Sequence, residues 1–470
     1  MNFSLFFVHC TWLTLAFAIL FPNAASAATP PKPQNTSSPV KVPDYLNPSP
    51  NPLQFPTKPE EVRIQQTVPI SLAQALELAR RNNRDLQVAL LQLERSRSAL
   101  RESQAALFPT LGINSSVTNS GNGFTNNTSQ ASTSFNGSAQ LNYDVYTSGN
   151  RQATIQAAQE QLRVDELNVE SQSLTISLNT TTQYYNLQQA DEQARINRAA
   201  VENALASLRD TQAREQAGVG TRFDVLQAQV NLANAQQELT NAISGQQIAR
   251  RQLATLLSLS ESADITAADP VQIAGLWPQT VEQSIVQAFQ NRPELQQQLA
   301  QRNISEQQRR QALSQLGPQI SLAGNYNLSD RYNDGASITD GYSVGLNGNL
   351  TLFDGGAARA RADQSRANIA IAESQFGSQR DLIRFDVEQY YSQLQSNLNN
   401  VQTSSVALNQ AREALNLARL RFQAGVGTQT EVISAENDLT RAEGNRVAAI
   451  LDYNRALANL QRSVTARGSR

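Results

Sequence analysis

Two short turns in this chain share one sequence, and each is followed by a carboxylate. Ala217-Gly218-Val219-Gly220-Thr221 returns about 207 positions later as Ala424-Gly425-Val426-Gly427-Thr428, and Asp224 and Glu431 stand three residues after the two threonines. Thr-x-x-acid is the pattern of a helical capping box, and glycine suits the left-handed residue that ends the preceding helix. The turns therefore predict two helical hairpins with a carboxylate near each tip. Neither is a phosphate-binding loop, because no Gly-Lys-Ser/Thr follows.

The first residues favour export. An apolar stretch from Leu5 to Phe21 is followed by Ala25-Ser26-Ala27, the small-x-small pattern of a signal-peptidase site, so we expect residues 1–27 to be a signal peptide removed after Ala27. No Lys or Arg precedes the apolar stretch, which leaves an uncleaved membrane anchor as the alternative.

The expected cleavage leaves few residues that could carry out catalysis. His9, Cys10 and Met1 are the only residues of their types, so the mature chain would lack imidazole and thiol nucleophiles, thiolate metal ligands and disulfides. The remaining Asp, Glu and Ser show no grouped constellation, and we expect neither an enzyme nor a cofactor or metal site. The formal net charge of -2 argues against a nucleic-acid partner.

A proline-rich leader separates the signal peptide from the rest of the chain. Residues 29–59 hold ten of the 17 prolines and all three lysines, Lys32, Lys41 and Lys58. Such a composition predicts an extended, disordered segment over residues 28–68. A tether to the cell wall or to a partner is the alternative.

Two pairs of alternating segments interrupt the helical pattern. After a helix predicted from about Ser71 to Ala106, apolar and polar residues alternate over about 110–146, and they do so again over about 318–353, where Leu346, Leu350 and Leu352 are among the apolar residues. Strands of about ten residues with one apolar face suit an outer-membrane barrel. An edge of a soluble β-sandwich is the alternative. Four strands cannot close a barrel alone, so the membrane interpretation requires an oligomer.

Each strand pair precedes a very long helical stretch, roughly 149–216 and 356–423. About 67 residues give roughly 100 Å of helix, and the apolar positions from Leu394 to Phe422 recur at steps of three and four, as in coiled coils. Tyr184-Tyr185 is aligned with Tyr390-Tyr391. The chain is thus interpreted as a duplicated unit, with a first repeat over 69–268 and a second over 269–470.

Together these residues resemble the TolC-like outer-membrane efflux family over nearly all of 69–465. The two Gly-x-Gly-Thr hairpins resemble its periplasmic tips, and the Leu350–Gly356 segment resembles its strand-to-helix junction. The resemblance implies a mainly α fold with membrane β-structure: a homotrimer whose four strands per chain form one 12-stranded outer-membrane barrel, continued by a periplasmic α-helical barrel. It also implies outer-membrane lipid, a periplasmic adaptor protein and an inner-membrane transporter as partners. By the same resemblance, the adaptor-docking tips comprise Gly218, Gly220, Thr221, Asp224, Gly425, Gly427 and Thr428, and the junction comprises Phe353, Asp354, Gly355 and Gly356.

The resemblance also points to Glu431 as a constriction residue. The family prototype narrows its tunnel with two acidic rings, and matching its motif places Glu431 on the first ring and Ser434 on the second, where the carboxylate is absent. A gapless count from the glycine favours Glu436 instead. Glu431 has a simpler role as the capping-box acid, and the sequence leaves the two roles open.

Three functions compete at this point. The first is a passive exit duct of a tripartite efflux or type I secretion system, which conducts small molecules or polypeptides. A trimeric coiled-coil stalk or adhesin explains the heptads but not the four strands at matching places in two repeats. A periplasmic adaptor predicts one hairpin, whereas this chain has two. The exported substrate and the energy source of the transporter cannot be inferred from these residues.

Overall fold

The computed structural model describes residues 46–47, 51, 53–64, 66–121, 131–332 and 337–464, so the predicted signal peptide lies outside the described residues. The leader contains α1 (Pro59–Val62), and β1 (Gln66–Ile70) joins the leader to the first repeat. The first repeat continues with α2 (Leu72–Asn82), α3 (Arg84–Ala105), β2 (Thr110–Gly121), β3 (Ala131–Tyr146), α4 (Asn150–Gln216), α5 (Arg222–Leu256) and β4 (Ala263–Ala267). The second contains α6 (Val281–Asn291), α7 (Pro293–Ser314), β5 (Gln319–Tyr332), β6 (Thr339–Asn349), α8 (Ala357–Gln423) and α9 (Gln429–Val464).

The two longest helices, α4 and α8, each have 67 residues and start and end 207 positions apart. This constant offset corrects the tyrosine alignment by one residue, because Tyr184 corresponds to Tyr391 rather than to Tyr390. The burial pattern agrees: Ile176 and Leu187 on α4 are buried, and so are their counterparts on α8, Ile383 and Leu394.

The helix expected from Ser71 to Ala106 is broken in two at Asn83. This residue is extended, with φ -63° and ψ 125°, and its side chain accepts hydrogen bonds from the amides of Asp85 and Leu86, which caps α3. Its amide group also donates to the carbonyl oxygen of Leu256 at 3.0 Å. Because asparagine bonds neighbouring backbone groups, it favours a helix start over a helix interior. The break lets α2 and α3 pack against α4 separately.

Four strands form one antiparallel sheet in the order β2-β3-β5-β6. They have 12, 16, 14 and 11 residues, more than the expected ten or so. The prediction was wrong for Leu350 and Leu352, since β6 ends at Asn349. The register places the apolar positions on one face: Leu111, Ile113, Val117, Phe135, Ala139, Leu141, Tyr143, Ile320, Leu322, Tyr326, Leu328, Tyr342, Val344 and Leu346. The opposite face is rich in Asn, Ser, Gln and Thr.

A second, parallel pair joins β1 to β4, and the sequence did not reveal it. These strands and α2 cover α4 and α5 with the largest apolar cluster of the described residues, which includes Leu78, Tyr184, Leu253 and Ile265. Leu46 of the leader is fully buried in the same cluster. Disorder throughout 28–68 was therefore the wrong expectation for Leu46 and for the strand that begins at Gln66, because both have partners in this core.

The long helices pack against one another as successive neighbours. Towards the hairpin tips the order of principal neighbours is α5-α4-α9-α8, and towards the sheet it is α3-α4-α7-α8. Small side chains such as Ala435, Ala442, Ala449 and Ala456 of α9 are buried between neighbours, which permits close helix spacing. In the described part of the chain, none of the helices combines the length and the apolarity needed to cross a bilayer.

Candidate functional site: the paired hairpin tips

Both repeated turns form the tip of a helical hairpin. Gly218 and Gly425 have φ of +74° and +75°, a conformation that costs glycine little. After each glycine the next two amides donate to one carbonyl oxygen of the preceding helix: Val219 and Gly220 to Arg214, and Val426 and Gly427 to Arg421, all at 3.0 Å. The two tips therefore have the same backbone geometry, which closes the end of each long helix.

The second glycine of each turn lies against the last turn of the long helix. A Cβ atom added to Gly220 would stand 2.9 Å from Arg214 Cβ and 3.0 Å from the amide nitrogen of Glu215. At Gly427 the corresponding distances are 3.1 Å to Arg421 Cβ and 3.1 Å to the amide nitrogen of Phe422. Because backbone atoms cannot move aside as a flexible side chain can, the packing favours glycine at both positions, and the space is tighter at Gly220 than at Gly427.

The two capping acids behave differently. In the first hairpin Thr221 Oγ1 accepts from the Asp224 amide, and the Asp224 carboxylate accepts from the Thr221 amide, so the capping box is complete. In the second, Thr428 Oγ1 accepts from the Glu431 amide at 3.3 Å, but the Glu431 carboxylate lies 3.6 Å from Arg421 Nη1. Both side chains of this pair are exposed, so the pair stabilises the tip only weakly. The Asp224 carboxylate thus caps its helix, whereas the Glu431 carboxylate is directed to Arg421.

Side chains join the two hairpins within one chain. Gln227 on α5 and Thr430 on α9 exchange hydrogen bonds of 3.1 and 3.2 Å. Gln429 Nε2 donates to Ser207 Oγ on α4 at 2.7 Å. The guanidinium of Arg214 lies 4.4 Å from the centre of the Phe422 ring, within the range of a cation–π contact. These contacts hold the four helices of the tip region together as one unit.

An ion pair that the sequence did not reveal lies roughly one to two helical turns from the second tip; its Glu436 side chain is buried, and its Arg419 side chain is 40% exposed. Arg419 Nη2 of α8 is 3.0 Å from Glu436 Oε1 of α9 and also donates to Asn203 Oδ1 of α4 at 3.0 Å. Burial raises the pKa of Glu436, although Arg419 opposes the shift. At the same offset the first repeat has Gln212 and Gln229, so a comparison of the repeats could have found the pair. Glu436 is paired with Arg419 and is only 6% exposed, which disfavours it as a ring residue.

The strand-to-helix junction of the second repeat has an acidic cap. Asp354 accepts hydrogen bonds from the amides of Gly356 at 2.9 Å and Ala358 at 2.7 Å, and these donors lower the pKa of Asp354. Gly355 and Gly356 have φ of +68° and +87°, so this turn also depends on glycine. Phe353 precedes them and is 87% exposed. The four junction residues thus turn the chain sharply from the sheet into α8 and leave an aromatic ring on the outside.

The tips and the junction contain no arrangement suited to catalysis. Among the described residues, no group of three or more His, Cys, Asp or Glu side chains is placed to hold a metal ion. The features that stand out are instead a membrane-length sheet, a set of long helices and two exposed hairpin tips. Long helices with exposed ends suit a protein that spans a distance.

Comparison with known proteins identifies the family of this chain. The family model "Outer membrane efflux protein" matches residues 75–258 and 284–465, and the chain belongs to that family. It is 27% identical over 402 residues to the pyoverdine export outer membrane protein OpmQ of Pseudomonas aeruginosa, covering 83% of this chain and 82% of the relative. It is 24% identical over 404 residues to the outer membrane protein TolC of Escherichia coli, with 82% and 80% covered.

Solved structures share the fold. CusC superimposes with a TM-score of 0.75 at 18% identity over 90% of this chain and 99% of the other. The open state of the MtrE outer membrane channel of Neisseria gonorrhoeae gives 0.72 at 19% identity over 91% and 98%. Family members are outer-membrane channels and not enzymes. This protein is accordingly a TolC-like efflux channel protein of the outer membrane, with its helical part in the periplasm.

Proposed function

We propose that three copies of the chain close into one passive exit duct, with a shared 12-stranded barrel in the outer membrane and an α-helical tunnel below it. In this proposal the duct receives small molecules or polypeptides from an inner-membrane transporter through a periplasmic adaptor protein. Energy comes from those partners. The signal peptide 1–27 and the repeats 69–268 and 269–470 belong to the same proposal.

The proposal rests on one observation: the sheet and the set of long helices each have two open edges. The sheet ends in β2 on one side and β6 on the other. The set of long helices ends in α3 and α5, which belong to the first repeat with β2, and in α8, which follows β6. An open sheet edge is not tolerated in lipid, so each β2 edge requires a β6 edge of another copy. Repetition of that contact around an axis gives a closed ring.

The strand directions permit this closure. Neighbouring strands alternate in direction across the four-stranded sheet, so β6 of one copy meets β2 of the next in antiparallel orientation. The number three comes from the family resemblance. In the closed barrel the apolar face contacts lipid and the polar face lines a wet lumen, as in outer-membrane barrels generally.

The hairpin tips suit the docking of a partner. Val219 and Val426 at the two turns are 74% and 70% exposed, and Phe223 beside the first turn is 69% exposed. We assign the adaptor contact to these tips and a periplasmic constriction to Glu431, whose carboxylate is exposed and only weakly paired. The name of the OpmQ relative states that it exports pyoverdine. We assign to this chain only the role of an outer-membrane exit and not that substrate.

Two measurements on protein extracted from purified outer membrane test the proposal. The mass of the complex in detergent, corrected for bound detergent, should be three times the chain mass, and the complex should give discrete conductance steps in planar bilayers. A trimer without conductance would indicate the alternative, a coiled-coil stalk or adhesin. A monomer would refute the shared barrel. The family membership and the four-stranded sheet disfavour the stalk.

A further inference from the structure

Leu46 and Asn47 of the proline-rich leader lie against the first repeat. The Leu46 side chain is fully buried in the apolar cluster formed by α2, α4, α5 and β4. The Ser260 amide donates to the Leu46 carbonyl oxygen at 3.3 Å. Asn47 Oδ1 accepts from the side chains of Arg81 and Asn82, the latter at 3.3 Å. One apolar, one backbone and two side-chain contacts thus act on two consecutive residues.

Leu46 is fully buried, whereas Val68 at the end of the leader is only partly buried against the same cluster, and the apolar residues that follow Leu46 are exposed. Leu53 is 86% exposed and Phe55 is 76% exposed, although both are close in sequence and are equally apolar. General collapse of a hydrophobic segment would not separate them in this way. The difference indicates a shaped site that accepts the leucine at position 46.

The second repeat also holds the chain before its first helix through side chains of a long helix, at a segment that corresponds to residues 63–66 of the first repeat. The chain before α6 is held by α9: the Asn454 amide donates to the carbonyl oxygen of Gln272 at 2.8 Å, and its Oδ1 accepts from the Ala274 amide at 2.9 Å. Tyr453 donates to the carbonyl oxygen of Gly275 at 2.6 Å. In the second repeat this segment is the covalent linker between the repeats.

We propose that the first repeat contains an intramolecular docking site for the leader, and that the site recognises the Leu46 side chain and the Asn47 amide oxygen. The site lies at the end of α5 opposite the hairpin tip. Because α5 has 35 residues, the separation is roughly 50 Å at 1.5 Å per residue. The leader is thereby held at Leu46 and Asn47, away from the hairpin tip of the first repeat.

The distribution of lysine gives a direct test on the full mature chain. Lys32, Lys41 and Lys58 are the only lysines, so a protease that cleaves on the amino side of lysine releases the peptide 41–57 and cuts nowhere in the helical body. Lys58 is exposed, and this enzyme avoids the Lys58–Pro59 bond. After cleavage in detergent, gel filtration followed by mass spectrometry shows whether peptide 41–57 remains with the body.

We expect the peptide to stay bound in the wild type and in Leu53→Ala, the matched control on the exposed position. It should be lost from Leu46→Ala, because removing a buried leucine side chain weakens such a contact roughly 30-fold or more. Amide exchange at Ser260 should accelerate when the peptide is lost. Loss of the peptide from the wild type as fast as from Leu46→Ala, or its full retention by Leu46→Ala, would overturn the docking site. Circular dichroism of each variant verifies that the body is folded.

Discussion

Two neighbouring substitutions to arginine can test which face of the sheet contacts lipid. Leu346 on β6 lies opposite Leu322, which lies opposite Tyr143 on β3, so it belongs to the apolar face. Asn347 is the next residue and lies opposite Ser321, which lies opposite Asp144 on the polar face. Leu346→Arg and Asn347→Arg therefore add the same charge to the same strand, but on opposite faces.

The depth of Leu346 sets the expected magnitude. It is three residues from the end of β6 at Asn349, which is roughly 10 Å along a strand. Because barrel strands tilt by about 40°, this is roughly 8 Å into an apolar band about 25 Å tall, where arginine facing lipid costs up to about 2–4 kcal/mol per chain. Three copies in one barrel would multiply the cost to on the order of 6–12 kcal/mol. Arginine at position 347 faces water and the Asp144 carboxylate two strands away.

Trimer yield in the outer membrane is the assay. Each variant is expressed at matched total protein level, and the trimer band on a semi-native gel is compared with the wild type. We expect Leu346→Arg to lose most of its trimer and Asn347→Arg to keep it. Equal yields for the two variants would refute this facing of the sheet, and a greater loss from Asn347→Arg would mean that the polar face contacts lipid.

Three further predictions concern the tip and the core. Glu431→Gln should change the cation selectivity of single channels with little loss of thermal stability, whereas Asp224→Asn should leave the selectivity unchanged. Equal changes in selectivity in both variants would contradict the assignment of the constriction to Glu431. Gly427→Ala should lower stability by about 1–3 kcal/mol, because a methyl there stands 3.1 Å from the backbone of the preceding helix, and an unchanged melting temperature would contradict this packing. Burial acts to raise the pKa of Glu294, but Arg462 and Arg292 outweigh it and lower the pKa from 4.5 to about 2. Its contribution of about 3 kcal/mol is thus present above pH 4.5 and lost as the pH falls towards 2. Melting curves of Glu294→Gln should differ most from the wild type at neutral pH and least near pH 2, and a difference that is independent of pH would refute the linkage.

The local pattern determined the elements of this protein and their order. The helical stretches expected over roughly 149–216 and 356–423 agree with α4 and α8 to within a residue, and alternation identifies the four long strands, because helix and strand periodicity are properties of neighbouring residues. The Gly-x-Gly-Thr turns are equally local, since a left-handed glycine and a capping threonine act within one turn of helix. The family could be recognised from these features together.

Tertiary structure decided the contacts between residues distant in sequence. Burial of Leu46, the pairing of β1 with β4, and the Arg419–Glu436 pair all join segments that no sequence period relates. The different use of Asp224 and Glu431 also depended on a neighbour, because Arg421 attracts the second carboxylate away from its cap. Such contacts depend on which surfaces meet after the helices have packed, and the sequence of each segment specifies only its own side of the contact.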